Sequence, residues 1–194
     1  MSFEGWREVK LEDLVDSISK KHLFNKDKVI FLNTSDVYDG KVLNHEYTSV
    51  KELPGQAKKS IQKGDILFSE IRPINRRFAF IDFDAEDYVV STKLMVLRAK
   101  EEIEPKFLYY YLSSNDTLNT LQTLAESRSG TFPQITFNEV KSLKIKLPTR
   151  REQQYVVQVI ESIDNKIELN SQINKTLEEM AQAIFKSWFV DFEP

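Results

Sequence analysis

Cysteine is absent, and histidine occurs only at 22 and 45. Disulfides, thiol catalysis and Cys-based zinc sites are therefore excluded, and a His-based triad or multi-His metal site has almost nothing to draw on. Lack of cysteine suits a reducing cytoplasm, which is the expected location. With five glycines in 194 residues there is no phosphate-cradling loop. No stretch approaches the roughly 18 apolar residues of a membrane span, and the N-terminus does not read as a signal peptide. Charge of one sign is also missing, since 27 Lys and Arg stand against 30 Asp and Glu. What the chain does have is apolar bulk: 13 Phe and 7 Tyr exclude a solvated, disordered polymer. The length allows one good core and an appended element.

Charge is unevenly placed along the chain. Residues 54–80 hold six basic side chains against Asp65 and Glu70, a balance of +4. Residues 81–127 carry nine acids against four bases, and residues 128–151 six bases against Glu139. A fold that brings the two basic stretches to one face would make a surface for nucleic acid; solvated faces are the plainer alternative.

Two patterns divide the chain into 1–148 and 149–194. The first is α+β, a mixed globule of short strands and helices. Trp6 to Leu11 reads as a strand, Glu12–Ile18 as a short helix, and Val29–Leu32 as an apolar run; Asp39-Gly40 and Gly64-Asp65 are turn signals. Strands are expected at Ile66–Ile71, Arg77–Phe83, Tyr88–Val90, Leu94–Leu97 and Lys144–Leu147. Helix is expected after Pro105, again from Leu118 to Ala125, and after Thr136, whose spacing to Glu139 is that of a capping box.

The second pattern is one long helix opened by a further capping box, Thr149 and Glu152. From Val156 the spacing steps 4, 3, 4, 3 through Ile160, Ile163, Ile167, Asn170, Asn174, Leu177, Ala181, Ile184 and Trp188, a heptad seam with eight apolar positions in ten. About 39 residues make a rod about 58 Å long. Such a seam needs a partner helix; folding back as a core helix is the alternative, and the length argues against it. The two consecutive seam asparagines are costly when buried and are tolerated where they fix register or orientation. Ile173 and Met180 on one flank, and Val157 and Phe185 on the other, widen the apolar contact enough for a further protein beside the pair.

Enzyme chemistry is sparse. Asp82, Asp84, Glu86 and Asp87 lack the glycine and terminal glutamate of a calcium loop and read as an acidic turn. Ser91-Thr92-Lys93 reads as a surface strand rather than a serine–lysine pair. Recognition chemistry is better represented. Arg72, Asn75, Arg76 and Arg77 surround a Pro-stiffened turn; guanidinium forks grip phosphate or the guanine edge, and an amide can read adenine. Arg128, Ser129, Gly130, Thr131 and Gln134 form a second polar loop able to hold phosphates and reach a base. Lys93 joins these as a candidate DNA contact. Either loop could instead be an ordinary connection.

Several motifs resemble the specificity subunit of type I restriction-modification systems, and the likeness covers nearly the whole chain. They are Gly5-Trp6-Arg7-Glu8-Val9-Lys10-Leu11-Glu12-Asp13-Leu14, Gly64-Asp65-Ile66-Leu67-Phe68-Ser69, Ser129-Gly130-Thr131-Phe132-Pro133-Gln134-Ile135, and the start of the helix at Leu147-Pro148 through Glu152-Gln153. The most specific is the run from Leu177 to Phe192 that closes the helix. The resemblance implies a non-catalytic reader of double-stranded DNA. In the family two recognition domains are held apart by two antiparallel helices, methyltransferase subunits using S-adenosylmethionine bind alongside, and restriction subunits using ATP and magnesium join them. This chain departs in having one domain and one helix, as a half-length form or a fragment, and in carrying Arg72–Arg77 where the family more often has glycine. It implies a homodimer, antiparallel through the seam, reading two inverted half-sites. A helical protein–protein adapter without DNA affinity is the competing reading, and a stand-alone nuclease a weaker third.

Overall fold

The computed structural model describes residues 5–192. It consists of two units, one ending at Gln154 and one beginning at Tyr155.

In chain order the first unit contains β1 (Arg7–Lys10), α1 (Leu11–Leu14), β2 (Val15–Ser17), β3 (Lys28–Leu32), β4 (Val37–Tyr38), β5 (Lys41–Val42), β6 (Tyr47–Ser49) and β7 (Ala57–Ser60). There follow β8 (Ile66–Ser69), β9 (Phe78–Phe80), β10 (Tyr88–Ser91), β11 (Leu94–Ala99), α2 (Pro105–Ser113), α3 (Asn115–Arg128), α4 (Phe137–Ser142) and β12 (Lys144–Leu147). The expected α+β character is present. The two ends of the unit meet where β1 pairs antiparallel with β12, Val9 opposite Ile145.

Two four-stranded sheets carry the core. One has the order β6-β3-β10-β7, with β3 and β10 parallel; the other, β2-β11-β8-β9, is antiparallel. Buried side chains from both, among them Ile30, Leu32, Leu67, Val90 and Val96, form one cluster with Ile81, and Val29, Ala57 and Val89 form a second. The all-buried pattern of β8 follows from its place inside the second sheet. The Asp39-Gly40 signal becomes the tip of the β4–β5 hairpin, both residues having positive φ, +45° and +90°, as a two-residue hairpin turn demands. A Cβ at Gly40 would also meet the Tyr109 hydroxyl, which would have to give way.

Four expectations need correction. The helix after β1 stops at Leu14, because Val15–Ser17 is drawn into the second sheet as an edge strand against β11. Tertiary pairing outweighs local helical pattern there. The strand expected at Ile66–Ile71 ends at Ser69, and that expected at Arg77–Phe83 is confined to Phe78–Phe80. Ser91-Thr92-Lys93 is not a surface strand. Ser91 is buried as the last residue of β10, and Thr92 and Lys93 turn the chain into β11.

Helix α3 is capped by Ser114 and α4 by the Thr136–Glu139 box. The last helix, α5 (Arg150–Phe189), opens on the Thr149–Glu152 box, with the Glu152 carboxylate accepting from the Thr149 N–H at 2.9 Å. Within the second unit the seam from Ile163 onward is exposed: Ile167 is 59%, Leu177 56% and Trp188 59% accessible.

Candidate nucleic-acid interface

The two polar loops singled out in the sequence lie about sixty residues apart, and the backbone zips them together. Ile71 and Gln134 form an antiparallel bridge. The Arg72 N–H donates to the Pro133 carbonyl at 3.1 Å, and the Ile135 N–H to the Glu70 carbonyl at 2.8 Å. On the other side the Glu70 N–H donates to the Lys93 carbonyl at 3.2 Å. Three segments, around residues 70–77, 92–93 and 129–135, therefore share one rim at the end of β8. The buried Ser69 hydroxyl fixes the exit from β8 by accepting the Ile71 N–H at 3.1 Å.

Pro73 opens a 3-10 turn over Pro73–Asn75, flanked by Arg72 at φ +44° and Arg76 at φ +56°. Both are left-handed, a conformation that side chains with a Cβ adopt at a cost and glycine adopts freely. The two arginines are held in strained backbone by the surrounding contacts, a pattern that concentrates at functional sites.

The candidate residues divide by what they already hold. Arg72, Asn75 and Lys93 are exposed, as are Ser129, Gly130 and Thr131, while Gln134 is half-buried. Arg76 is committed: its Nε and Nη2 reach Asp39 at 2.8 and 2.7 Å, its Nη1 reaches Asn115 at 3.0 Å, and it lies over the Phe78 ring. Arg77 donates to the Ser35 and Val37 carbonyls at 3.2 and 3.4 Å and stacks over Tyr38. These two tie the β4–β5 hairpin to the loop. Arg128 pairs with Glu139 at 2.6 Å. Burial works against the Glu139 anion, but hydrogen bonds from Thr136, together with Arg128, keep its carboxyl below the ordinary carboxylate range.

Lys59 was not singled out in the sequence, yet it builds the rim. Its Nζ donates to the Thr92 and Leu94 carbonyls at 3.1 and 2.8 Å, bracing the turn that presents Lys93. Burial holds its ammonium below the usual lysine range. No local motif marks it, because its role depends on β7 lying beside β10. Among the described residues, no group of three or more His, Asp or Glu is placed to hold a metal. Among those residues, too, no helix is long and apolar enough to cross a membrane.

Residues 3–179 match the type I restriction modification DNA specificity domain, and the chain belongs to that family. It is 53% identical over 191 residues to the type I restriction enzyme HindI specificity subunit of Haemophilus influenzae, an alignment covering 97% of this chain and 42% of that protein. It is 28% identical over 132 residues to the MjaIX specificity subunit of Methanocaldococcus jannaschii, covering 68% and 29%. Among solved structures, a chain from a type I R-M system superposes with TM-score 0.75 at 24% identity, covering 98% of this chain and 50% of that one. The HsdS subunit from Thermoanaerobacter tengcongensis gives 0.73 at 23%, covering 95% and 48%. At these identities the structural likeness is one of fold. The chain spans less than half the length of these two curated relatives.

Proposed function

We propose that this chain is a non-catalytic DNA reader of a type I restriction-modification complex in the cytoplasm. Residues 1–148 would carry recognition, and 149–194, with helix α5 over Arg150–Phe189, would carry dimerisation and the docking of a methyltransferase subunit. The observation that carries this reading is the backbone zipping of residues 70–72 to 133–135, which sets polar and basic side chains from two distant loops on one rim. Arg72, Asn75, Lys93, Ser129, Gly130, Thr131 and Gln134 are the groups free enough to reach phosphates and base edges. Arg76 and Arg128, ion-paired with Asp39 and Glu139, and Arg77, held on backbone carbonyls, brace the same rim.

The seam on α5, half-buried at Val156 and Ile160 and exposed from Ile163 to Ile184 and Trp188, supports a homodimer whose two helices run antiparallel about a two-fold axis. A 40-residue helix is about 60 Å long, so the two readers would be separated by at most about 18 base pairs. The target is then a pair of identical inverted half-sites around a spacer. Methylation, with S-adenosylmethionine, and cleavage, with ATP and magnesium, belong to methyltransferase and restriction subunits.

Selection of a random duplex library by the chain with its methyltransferase partner tests the reading. Inverted repeats are expected, with affinity falling steeply between 50 and 200 mM salt. Recovery of single or asymmetric half-sites would overturn the homodimer, and no duplex affinity at any salt would overturn the reader.

A further inference from the structure

The rim carries one residue that neither charge nor hydrogen bonding explains. Phe132 is 68% exposed in the middle of a polar loop, between Thr131 and the buried Pro133. It is the most exposed of the phenylalanines described in the first unit, the next being Phe24 at 40%.

The backbone on both sides of Phe132 is fixed. On its N-terminal side, its own N–H donates to the Ser129 hydroxyl at 3.2 Å, closing a four-residue turn. On its C-terminal side, Pro133 is buried and its carbonyl takes the Arg72 N–H. The Ile71–Gln134 bridge and the Arg72–Pro133 hydrogen bond place Phe132 one residue beyond the paired backbone, where the facing strand breaks into the turn that Pro73 opens. The ring is thus held out from a clamped turn, and Ile74, itself 47% exposed, follows in the facing segment.

We propose that Phe132 is an apolar wedge that enters the DNA stack at one base step of each half-site. This rests on the DNA-reader reading. The surrounding groups favour that occupant over an apolar protein surface. Arg72 and Lys93 lie on the flanking segments, exposed and suited to phosphates, while Asn75 and Gln134 supply amides suited to base edges. A ring presented inside such a frame meets nucleic acid first. Wedge side chains act by partly unstacking a step and bending the duplex, so the step chosen is a flexible one, and sequence is read there through deformability rather than through hydrogen bonds. A clamped loop is what that task needs, since a mobile ring would give up its ordering on insertion.

The test uses the full chain with its methyltransferase subunit, no S-adenosylmethionine, and the duplex recovered by selection. 2-Aminopurine is placed in turn at each position of the half-site, and wild type is compared with Phe132→Ala and Phe132→Leu. The wedge predicts one step whose fluorescence rises on binding of wild type, falls back with Phe132→Ala, and is largely kept by Phe132→Leu. Duplex affinity should fall about 10-fold or more with Phe132→Ala. A signal from a base extruded by the methyltransferase would be common to all three and is removed by the comparison. Full binding with no step that depends on residue 132 overturns the wedge and leaves the reader intact. Lost affinity without any unstacking in wild type also overturns it, assigning Phe132 to a groove contact such as a thymine methyl. Absence of duplex binding by wild type overturns the reader and the wedge together. Circular dichroism of Phe132→Ala should match wild type, because the ring packs on the outside of the unit.

Discussion

Arg98 grips Asp65 through both edges of its guanidinium, Nε to Oδ1 at 2.7 Å and Nη2 to Oδ2 at 2.9 Å, and the aspartate side chain is wholly buried. The same carboxylate accepts the Gln62 N–H at 2.9 Å, so one group closes the turn before β8 and fastens it to β11. Removing Asp65 leaves a guanidinium and an amide facing each other's vacated partner. Asp65→Ala should cost about 3 kcal/mol, the lower end for a broken buried pair because Arg98 is one-third exposed. Urea unfolding checks this; a loss under about 1 kcal/mol would mean water replaces the carboxylate.

Arg72 offers a separation of fold from function. Its φ of +44° is unstrained for glycine, so Arg72→Gly should leave stability within about 1 kcal/mol of wild type. DNA affinity should nevertheless fall by about 1–3 kcal/mol if the guanidinium grips a base, with one position of the site relaxed. A uniform loss across sequences identifies a phosphate contact instead. Unchanged affinity would remove Arg72 from the interface.

Arg76→Ala should behave in the opposite way. The residue is occupied with Asp39 and Asn115, so its loss should lower stability by about 1 kcal/mol and weaken all duplexes alike. Thermal melting beside a binding series on single-base variants makes the distinction. Relaxed specificity without lost stability would show that Arg76 leaves its internal partners to read DNA.

The buried His22 makes stability depend on pH. Burial lowers its folded pKa below the ordinary value of 6.5, with Asp87 opposing, while its ring nitrogen lies 3.1 Å from the Ser60 hydroxyl. In the window between the folded value and 6.5 the unfolded chain binds more protons. The contribution is therefore complete above pH 6.5 and is lost as pH falls through the folded value. Denaturant unfolding from pH 7.5 down to 5 should show this decline, and His22→Gln should flatten it. An equal slope in the variant would assign the decline to other groups.

For the helix, Ile167→Asp places a charge at an exposed seam position that the proposed dimer would bury. Light scattering should give twice 22.7 kDa for wild type and a single chain for the variant. A wild type of one chain mass would remove the antiparallel pair, and with it the inverted half-sites.

The sequence determined what depends on near neighbours along the chain. The Thr136–Glu139 and Thr149–Glu152 boxes, the Asp39-Gly40 hairpin tip and the 3.5-residue apolar step of α5 each need only a few adjacent residues, and each stands where its spacing put it. Both polar loops were legible for the same reason, as was the likeness to specificity subunits. Only the tertiary structure decided which of their side chains are free. Arg76 looked no different from Arg72 until Asp39 and Asn115 came up against it, and Lys59 carried no mark until β7 lay beside β10. It also decided that Val15–Ser17 joins a sheet rather than a helix, and that loops about sixty residues apart share one rim. Those outcomes rest on hydrogen bonds and ion pairs between distant segments, whose geometry exists only after the chain has closed on itself.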